Sequence, residues 1–348
     1  MLDAYFVFSC QKGSEELCLN ELLKTGWKIH FDGWLDHGVG LMHSDGTFSE
    51  FSKIVRTKQL VFLQHIFPAD IMINWDFQRE CLTPIQNQLE TIALRMNTQK
   101  TFSVQIRRND VPSETAQKLK REIQEYFEEK GYHNQTCHPE QIVSVFCTAE
   151  RLLIGFSYAY ENLSDWPGGM RVYAYREDTI SRAEFKLLEA IECFSLELPT
   201  HGLAVDLGAA PGGWSKVLLE KGMHVIAVDP ANLSPVLEHN PNLIHFKGLA
   251  QSFLEKNDKT VDLLLNDMRM DMLKSIRITN DMAPCVKAGG LVIITFKLPQ
   301  KGRMALVNKG LHLISNVYSV LHARQLFHNR SEITVVAKKN CVLTEKRL

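Results

Sequence analysis

Two hydrophobic patterns divide the chain near residue 170. Beyond that point, seven short apolar segments alternate with amphipathic ones, at 203–207, 225–228, 243–246, 261–266, 290–296, 317–326 and 332–337. Continuous apolar strands separated by helices are typical of a mostly parallel sheet covered on both faces. The last two segments lie five residues apart, too close for a helical crossover. We expect an antiparallel hairpin there.

The first half of the chain shows shorter alternations. Apolar segments at 5–9, 38–42 and 61–66 accompany a helical pattern at 15–24 that ends before Gly26. The same alternation returns with segments at 102–106, 142–146 and 152–156 and a helical pattern at 114–130 that ends before Gly131. These patterns predict two small α+β domains in series, at 1–65 and 70–165.

Proline and glycine then interrupt the chain at 164–169, which indicates a linker or sharp turn. The overall prediction is an α/β protein in which two N-terminal α+β domains precede a Rossmann-like, seven-stranded sheet at 170–340. With 348 residues, the chain is long enough for three cores of this kind.

Charge is distributed unevenly. Residues 1–169 contain 16 Lys and Arg against 22 Asp and Glu, whereas residues 170–348 contain 23 against 18, so the second half has a net charge of +5. A positive balance suits a polyanionic partner.

Eight cysteines lack C-x-x-C spacing, which favours reduced thiols over a zinc site. No apolar segment approaches the roughly 20 residues of a membrane span. We expect a cytoplasmic protein without a membrane or metal partner.

The most informative segment is the glycine-rich turn after the strand at 203–207. Glycines let the main chain approach a ligand closely at the carboxyl end of a strand, where open α/β sheets bind ligands. Pro211 does not fit a G-x-G-x-x-G loop, so NAD is the weaker alternative. An ordinary strand–turn–helix is the structural alternative. The candidate binding residues of the turn are Asp206, Gly208, Ala209, Ala210, Pro211, Gly212, Gly213 and Trp214.

This motif, Asp-x-Gly-x-x-Pro-Gly-Gly-Trp, resembles the S-adenosylmethionine (SAM) loop of the FtsJ-type RNA 2′-O-ribose methyltransferases, and the seven strands match the SAM-methyltransferase fold. An acid that ends the next apolar strand, Asp229, lies 23 residues after Asp206 and suits the ribose hydroxyls of a nucleoside. Ser181 begins a capping box with Glu184, and the family also places such a serine against the cofactor. Leu249 stands where the family usually has an acid for the adenine.

The resemblance also implies a catalytic tetrad of Lys186, Asp267, Lys297 and Glu332. Three of these residues lie at ends of apolar segments, so they are expected to meet at the carboxyl edge of the sheet or its rim. In the family interpretation Lys297 takes the proton of the 2′-hydroxyl, Lys186 and Glu332 orient it, and Asp267 fixes geometry beside the methyl donor. Burial and a second cation can lower the pKa of a lysine. Each residue also has an ordinary alternative as a solvated, capping or strand-edge charge.

Two other methyltransferase classes fit less well. Cys285 follows a proline, but it precedes the fifth strand, where a cytosine-C5 nucleophile is not expected. The sequence Asn266–Asp267–Met268–Arg269 lacks the Asn/Asp-Pro-Pro-aromatic motif that base-amine methyltransferases use. The ribose is therefore the favoured acceptor. Separately, the histidines show no metal-ligand spacing.

The segment 101–121 resembles a THUMP domain, in which Arg107, Arg108 and Lys120 would contact phosphates of structured RNA. A solvated charged face is the alternative for each. The full order of ferredoxin-like, THUMP and FtsJ-type domains resembles the RlmM-type large-subunit ribosomal RNA 2′-O-ribose methyltransferases. The resemblance implies a cytidine in 23S rRNA, as free RNA or a pre-ribosomal particle. An RNA-binding assembly factor with weak catalysis and a tRNA 2′-O-methyltransferase stay open, and the sequence indicates no oligomeric state.

Overall fold

The computed structural model describes residues 4–75 and 85–340. The chain divides into two compact units, Met1–Arg171 and Val172–Leu348. The boundary follows the proline- and glycine-rich segment at 164–169 directly.

The first sheet of unit 1 has four strands in the order β2-β3-β1-β4. Its elements are β1 (Ala4–Cys10), α1 (Glu15–Leu23), β2 (His30–Asp36), β3 (Val39–Ser44), α2 (Phe48–Lys58) and β4 (Leu63–Pro68). The helix α2 begins with a complete capping box between Thr47 and Glu50. The element order β-α-β-β-α-β is that of ferredoxin-like folds. A separate ferredoxin-like domain at 1–65 stays a prediction.

The second sheet of unit 1 has five strands in the order β5-β9-β8-β6-β7. Its elements are β5 (Ile71–Asn74), α3 (Gln86–Ala93), β6 (Thr101–Arg108), α4 (Ser113–Glu129), β7 (His133–Asn134), β8 (Gln141–Cys147) and β9 (Arg151–Tyr158). Apolar side chains of α4 recur at helical spacing, and Leu119, Ile123 and Phe127 are buried in the core of this sheet. The assignment of 70–165 to a THUMP domain stays a prediction.

Unit 2 contains one sheet of seven strands in the order β12-β11-β10-β13-β14-β16-β15. The strands are β10 (Leu203–Leu207), β11 (His224–Val228), β12 (Leu243–Phe246), β13 (Val261–Asn266), β14 (Val286–Lys297), β15 (Tyr318–Arg324) and β16 (Glu332–Lys339). The helices are α5 (Ala183–Cys193), α6 (Gly213–Glu220), α7 (Ala250–Lys256), α8 (Met272–Asp281) and α9 (Arg303–Ser315). The predicted α/β class and seven-stranded sheet are confirmed.

Strand direction explains where a site can form. Strands β10 to β14 run parallel, whereas β16 is antiparallel to both β14 and β15. The hairpin expected near the end of the sheet is therefore present. The chain proceeds from β10 to β11 on one side and places β13 on the other, so a topological switch point lies between β10 and β13. Ligands of open α/β sheets bind beside such a point at the carboxyl ends of the strands.

None of the helices in the described part of the chain has both the length and the apolar composition needed to cross a membrane.

Candidate active site

The glycine turn leaves β10 at the switch point and enters α6. Gly208 has φ +75°, and a Cβ atom on it would lie 3.0 Å from the Cα atom of Met268. A Cβ atom on Gly213 would lie 2.6 Å from the Oγ atom of Ser181. Side chains at these two positions would collide with the segments that follow β13 and precede α5. Glycine is required here by close approach of three chain segments.

Asp206 ends β10 beneath this turn and is almost completely buried. Burial raises the pKa of its carboxyl group to about 7, although a hydrogen bond from the Ser215 hydroxyl lowers it. The Ser215 Oγ atom donates to Asp206 Oδ2 over 2.7 Å. A carboxyl group with this pKa loses its proton readily when a cation binds beside it.

Asp229 follows β11 at the same edge of the sheet. Its carboxylate accepts hydrogen bonds from the N–H groups of Ala210, at 3.1 Å, and Ala231, at 2.8 Å. The acid is thereby fixed against the glycine turn. Leu249, which precedes α7, is 60% exposed, so an apolar surface lies beyond β12 instead of an acid.

The remaining turn residues divide into buried and accessible ones. Ala209 and the two glycines at 212 and 213 are buried, whereas Pro211 is exposed. The Trp214 indole packs in the core of unit 2 and donates its N–H to the carbonyl of Ala183 over 2.8 Å. The side chain of Trp214 is therefore part of the core, and Trp214 can face a ligand at this turn through its main chain.

The predicted capping box at Ser181 is half formed. The Glu184 carboxylate accepts from the N–H groups of Ile180 and Ser181, as expected. However, Ser181 Oγ accepts from Ala183 N–H instead of Glu184 N–H, because the helix α5 begins at Ala183 with Arg182 as its N-terminal cap. The prediction of a complete box was wrong. The Ser181 hydroxyl is consequently held against Gly213.

The four tetrad side chains are in direct contact. Lys186 Nζ lies 3.1 Å from Asp267 Oδ2 and 2.5 Å from Glu332 Oε1. Lys297 Nζ also contacts both carboxylates, Asp267 through Oδ1 and Glu332 through Oε2. Each lysine thus bridges the same two acids, and the four groups form a closed ring of alternating charge.

The strands and helix explain this convergence. Lys297 and Glu332 are register partners on the antiparallel strands β14 and β16. Asp267 follows β13, the other neighbour of β14. Lys186 extends from α5, whose buried residues belong to the same core as β10 and β13. The tetrad therefore lies at the carboxyl edge of the sheet, next to the glycine turn.

Burial and charge act in opposite directions on the tetrad. Burial disfavours the charged form of Lys186, but the carboxylates of Asp267 and Glu332 outweigh it and raise its pKa. Burial likewise disfavours the Asp267 anion, yet Lys297 and Lys186 together lower its pKa. Both groups are therefore charged at neutral pH.

Thr295 belongs to this site and was missed by the sequence analysis. Its buried hydroxyl donates to Asp267 Oδ1 over 2.6 Å and accepts from Lys297 Nζ over 2.7 Å. The available signal was strand periodicity, because residues i and i+2 of a strand share a face. Thr295 and Lys297 are related in that way on β14.

The three cations predicted to contact RNA phosphates lie in unit 1. Arg107 is half-buried, and its guanidinium donates to the carbonyl of Gly168 over 3.3 Å. Burial lowers its pKa. Arg108 is exposed and donates to the carbonyl of Val111, and Lys120 is half-buried on α4. Arg107 thus has a structural contact of its own, and an RNA contact of any of the three stays a prediction.

Cys285 is buried at the start of β14, as expected for a packing residue. Within residues 4–75 and 85–340, no group of three or more His, Cys, Asp or Glu side chains is arranged to hold a metal ion.

Comparison with known proteins identifies relatives for the whole chain. Residues 179–327 match the family described as FtsJ-like methyltransferase, a segment that contains the tetrad members except Glu332. Ribosomal RNA large subunit methyltransferase M of Dickeya chrysanthemi is 26% identical over 96% of both chains. The enzyme of the same name from Halorhodospira halophila is 33% identical over 50% of this chain and 51% of its own.

Among solved structures, TrmN from Thermus thermophilus is 17% identical over 97% of this chain and 99% of its own, with a TM-score of 0.37. A TM-score this low supports no conclusion about function.

Proposed function

We propose that the chain is a SAM-dependent methyltransferase of ribosomal RNA, because residues 179–327 match the FtsJ-like methyltransferases. The relatives that match nearly the whole chain are named for that activity. The observation that carries the proposal is the contact of Lys186, Asp267, Lys297 and Glu332 beside the glycine turn.

The residues around the turn fit SAM. Two carboxylates at neighbouring strand ends, Asp206 and Asp229, match a ligand with an ammonium group and a ribose diol. The helix α6 begins at Gly213, and the N–H groups of a helix N-terminus suit a carboxylate. Exposed Leu249 offers an apolar surface to a purine ring where an acid is absent. SAM supplies a methyl group already activated by its sulfonium.

We propose the ribose 2′-hydroxyl as the acceptor, and a cytidine from the resemblance to the RlmM-type enzymes. A hydroxyl is a poor nucleophile at neutral pH, so the protein must position it and remove its proton. Lys297 is the proposed base. Its Nζ atom donates to Asp267, Glu332 and Thr295, so it is centred among three oxygens that fix its position.

Lys186 complements this role. Its raised pKa keeps it protonated while it contacts the same two carboxylates as Lys297. When Lys297 is neutral, Lys186 still compensates Asp267 and Glu332. Lys186 therefore keeps a cation beside both acids while Lys297 takes the hydroxyl proton.

Methyl transfer from labelled SAM tests the proposed reaction. The acceptors are unmodified 23S rRNA and a tRNA pool, and the products are digested with alkali, which cannot cleave a linkage next to a 2′-O-methyl group. We expect an alkali-resistant dinucleotide from rRNA. Label recovered on a base would contradict the ribose proposal, and label only in tRNA would favour the tRNA alternative. A protein that binds rRNA but neither binds SAM nor transfers a methyl group would instead be an assembly factor.

SAM affinity is expected to depend on pH through Asp206. The ammonium of SAM favours the ionised carboxylate, so affinity should fall by up to about tenfold per pH unit as pH falls below about 7. Above that pH the affinity should level off. Calorimetric titration between about pH 6 and pH 8 measures this difference. Asp206→Asn, which cannot ionise, should bind SAM weakly and lose the dependence. If SAM affinity varied with pH equally in the wild type and in Asp206→Asn, Asp206 would be excluded as the group responsible.

A further inference from the structure

The tetrad is electrically balanced. Two lysines face two carboxylates, each lysine contacting both, so the ring has no formal net charge. A target ribose in RNA carries a phosphate on the carbon next to its 2′-hydroxyl. A balanced ring provides little net attraction for that phosphate. Positive charge for the RNA strand must come from residues around the ring.

Three arginines are placed around it by the chain. Arg182 precedes Lys186 by four residues at the start of α5, a spacing that places side chains on one helix face. Arg269 follows Asp267 by two residues, and Arg330 precedes Glu332 by two. Two residues span at most about 7 Å, so both arginines begin close to a tetrad member.

All three side chains are exposed. Among the residues that the structure describes, none of the three guanidinium groups forms a salt bridge. Arg176, by contrast, is paired with Glu220 at 3.2 Å. Asp271, which follows Arg269 by two residues, accepts a hydrogen bond from the N–H of Lys274 at the start of α8.

Arg330 is also held in an unfavourable backbone conformation, with φ 55° and ψ −114°. Non-glycine residues rarely adopt this region, and the conformation is strained. The surrounding loop fixes it: the Gln325 side-chain amide donates to the Arg330 carbonyl over 2.6 Å, and buried Asn329 bonds to Leu326 N–H and to Thr334. Strain of this kind is concentrated at binding and catalytic sites.

We propose that Arg182, Arg269 and Arg330, here the arginine collar, bind the phosphates of the RNA strand around the target ribose, with Arg330 on the phosphate of that ribose. The guanidinium group is planar and binds phosphate through two hydrogen bonds. The collar rests on the proposed function, since it requires RNA as the substrate. It adds a binding site in unit 2 to the cations expected to contact RNA in unit 1.

The test compares two charge-matched triple variants of the full chain. One replaces the collar, Arg182→Ala, Arg269→Ala and Arg330→Ala; the control removes three exposed lysines before the amino ends of β11 and β13, Lys221→Ala, Lys256→Ala and Lys259→Ala. Binding of an unmodified 23S rRNA transcript is measured without SAM at several salt concentrations. For the collar variant, we expect the slope of log affinity against log salt to become shallower by about 2, roughly 0.7 per lost phosphate contact. The ratio of the wild-type RNA affinity to that of the collar variant should therefore fall about 20-fold between about 50 and 200 mM salt.

Arg330 is tested separately with two single variants. Arg330→Gly removes the charge and relieves the positive φ, so the melting temperature should stay or rise while RNA affinity falls. Arg330→Lys should restore most of the salt slope, because a point charge also binds phosphate. Unchanged SAM affinity in both variants would show that the effect is on RNA.

If the collar variant had the same RNA affinity and salt slope as the control, the collar would be overturned. Methylation of the same transcript by the wild-type protein would then leave the proposed function intact. A wild-type protein that neither binds nor methylates the transcript would overturn both. Reduced RNA binding in Arg330→Ala but not in Arg330→Gly would assign the effect to strain and would also count against the collar.

Discussion

Lys297→Ala is expected to lower kcat for methyl transfer by about 10²–10⁴-fold, the usual contribution of a positioned general base. The substitution removes the Nζ atom that contacts Asp267, Glu332 and Thr295 at once. Lys186 still compensates both acids, so the protein should fold. Single-turnover transfer of labelled methyl at saturating RNA and SAM measures the chemical step without a contribution from product release.

Lys297→Arg is the matched variant. Arginine keeps the positive charge but does not release its proton in proteins, so it should be as inactive as alanine. SAM and RNA affinities of both variants should equal those of the wild type. If Lys297→Arg retained wild-type kcat, Lys297 would be a charge or positioning group and another base would have to be sought.

Glu189→Ala is expected to destabilise the protein and to disturb the site from a distance. Glu189 is buried on α5, and its two carboxylate oxygens accept the N–H groups of Phe327 and His328, each over 2.8 Å. The substitution deprives both N–H groups of the Glu189 acceptor, which should lower the free energy of unfolding by about 1–3 kcal/mol for each. These residues begin the loop at 326–331 that leads into Glu332. We expect a lower free energy of unfolding and a lower kcat, with unchanged SAM affinity.

Chemical denaturation and the transfer assay measure the two effects. Glu255→Ala, an exposed acid on α7, is the control and should change neither quantity. Loss of stability with normal kcat would show that the loop does not position Glu332. Normal stability would show that other contacts suffice to hold the loop.

The same carboxyl group adds a pH dependence. Burial raises the pKa of Glu189 to about 7, although the two N–H donors lower it. The folded protein then binds this proton more tightly than the unfolded chain, so the contribution of Glu189 is greatest below about pH 4.5 and is lost as pH rises to about 7. Asp206 acts in the same direction. Glu189→Gln should therefore flatten, without abolishing, the fall in melting temperature over this range.

The sheet of unit 2 could be predicted from sequence because its strands are buried on both faces. Segments such as 203–207 and 261–266 are apolar throughout, which leaves little ambiguity about their location. In unit 1, β2 (His30–Asp36) was not predicted, since Gly33 and two register shifts break its alternation. Element ends were less accurate, as at α5, where Ser181 lies two residues before the helix.

The convergence of the tetrad followed from strand ends, which bring residues distant in sequence to one edge of the sheet. The contacts themselves did not follow from the pattern. A sequence does not show that Lys186 and Lys297 share both acids, or that Trp214 turns its indole into the core. The conformation of Arg330 was equally inaccessible, because it is imposed by hydrogen bonds that Gln325 and Asn329 make within the loop, which no sequence motif indicated. The catalytic roles stay predictions until they are measured.

The interior position of β16 in the sheet determines when the tetrad is complete. This strand follows β15 in the chain but lies between β14 and β15, so among the described strands β15 pairs with β16 alone. Glu332 arrives on the same strand and meets Lys297 in register. Pairing of β16 with β14 and completion of the tetrad are therefore the same step. A chain in which β16 has not yet paired with β14 therefore lacks Glu332 at the tetrad.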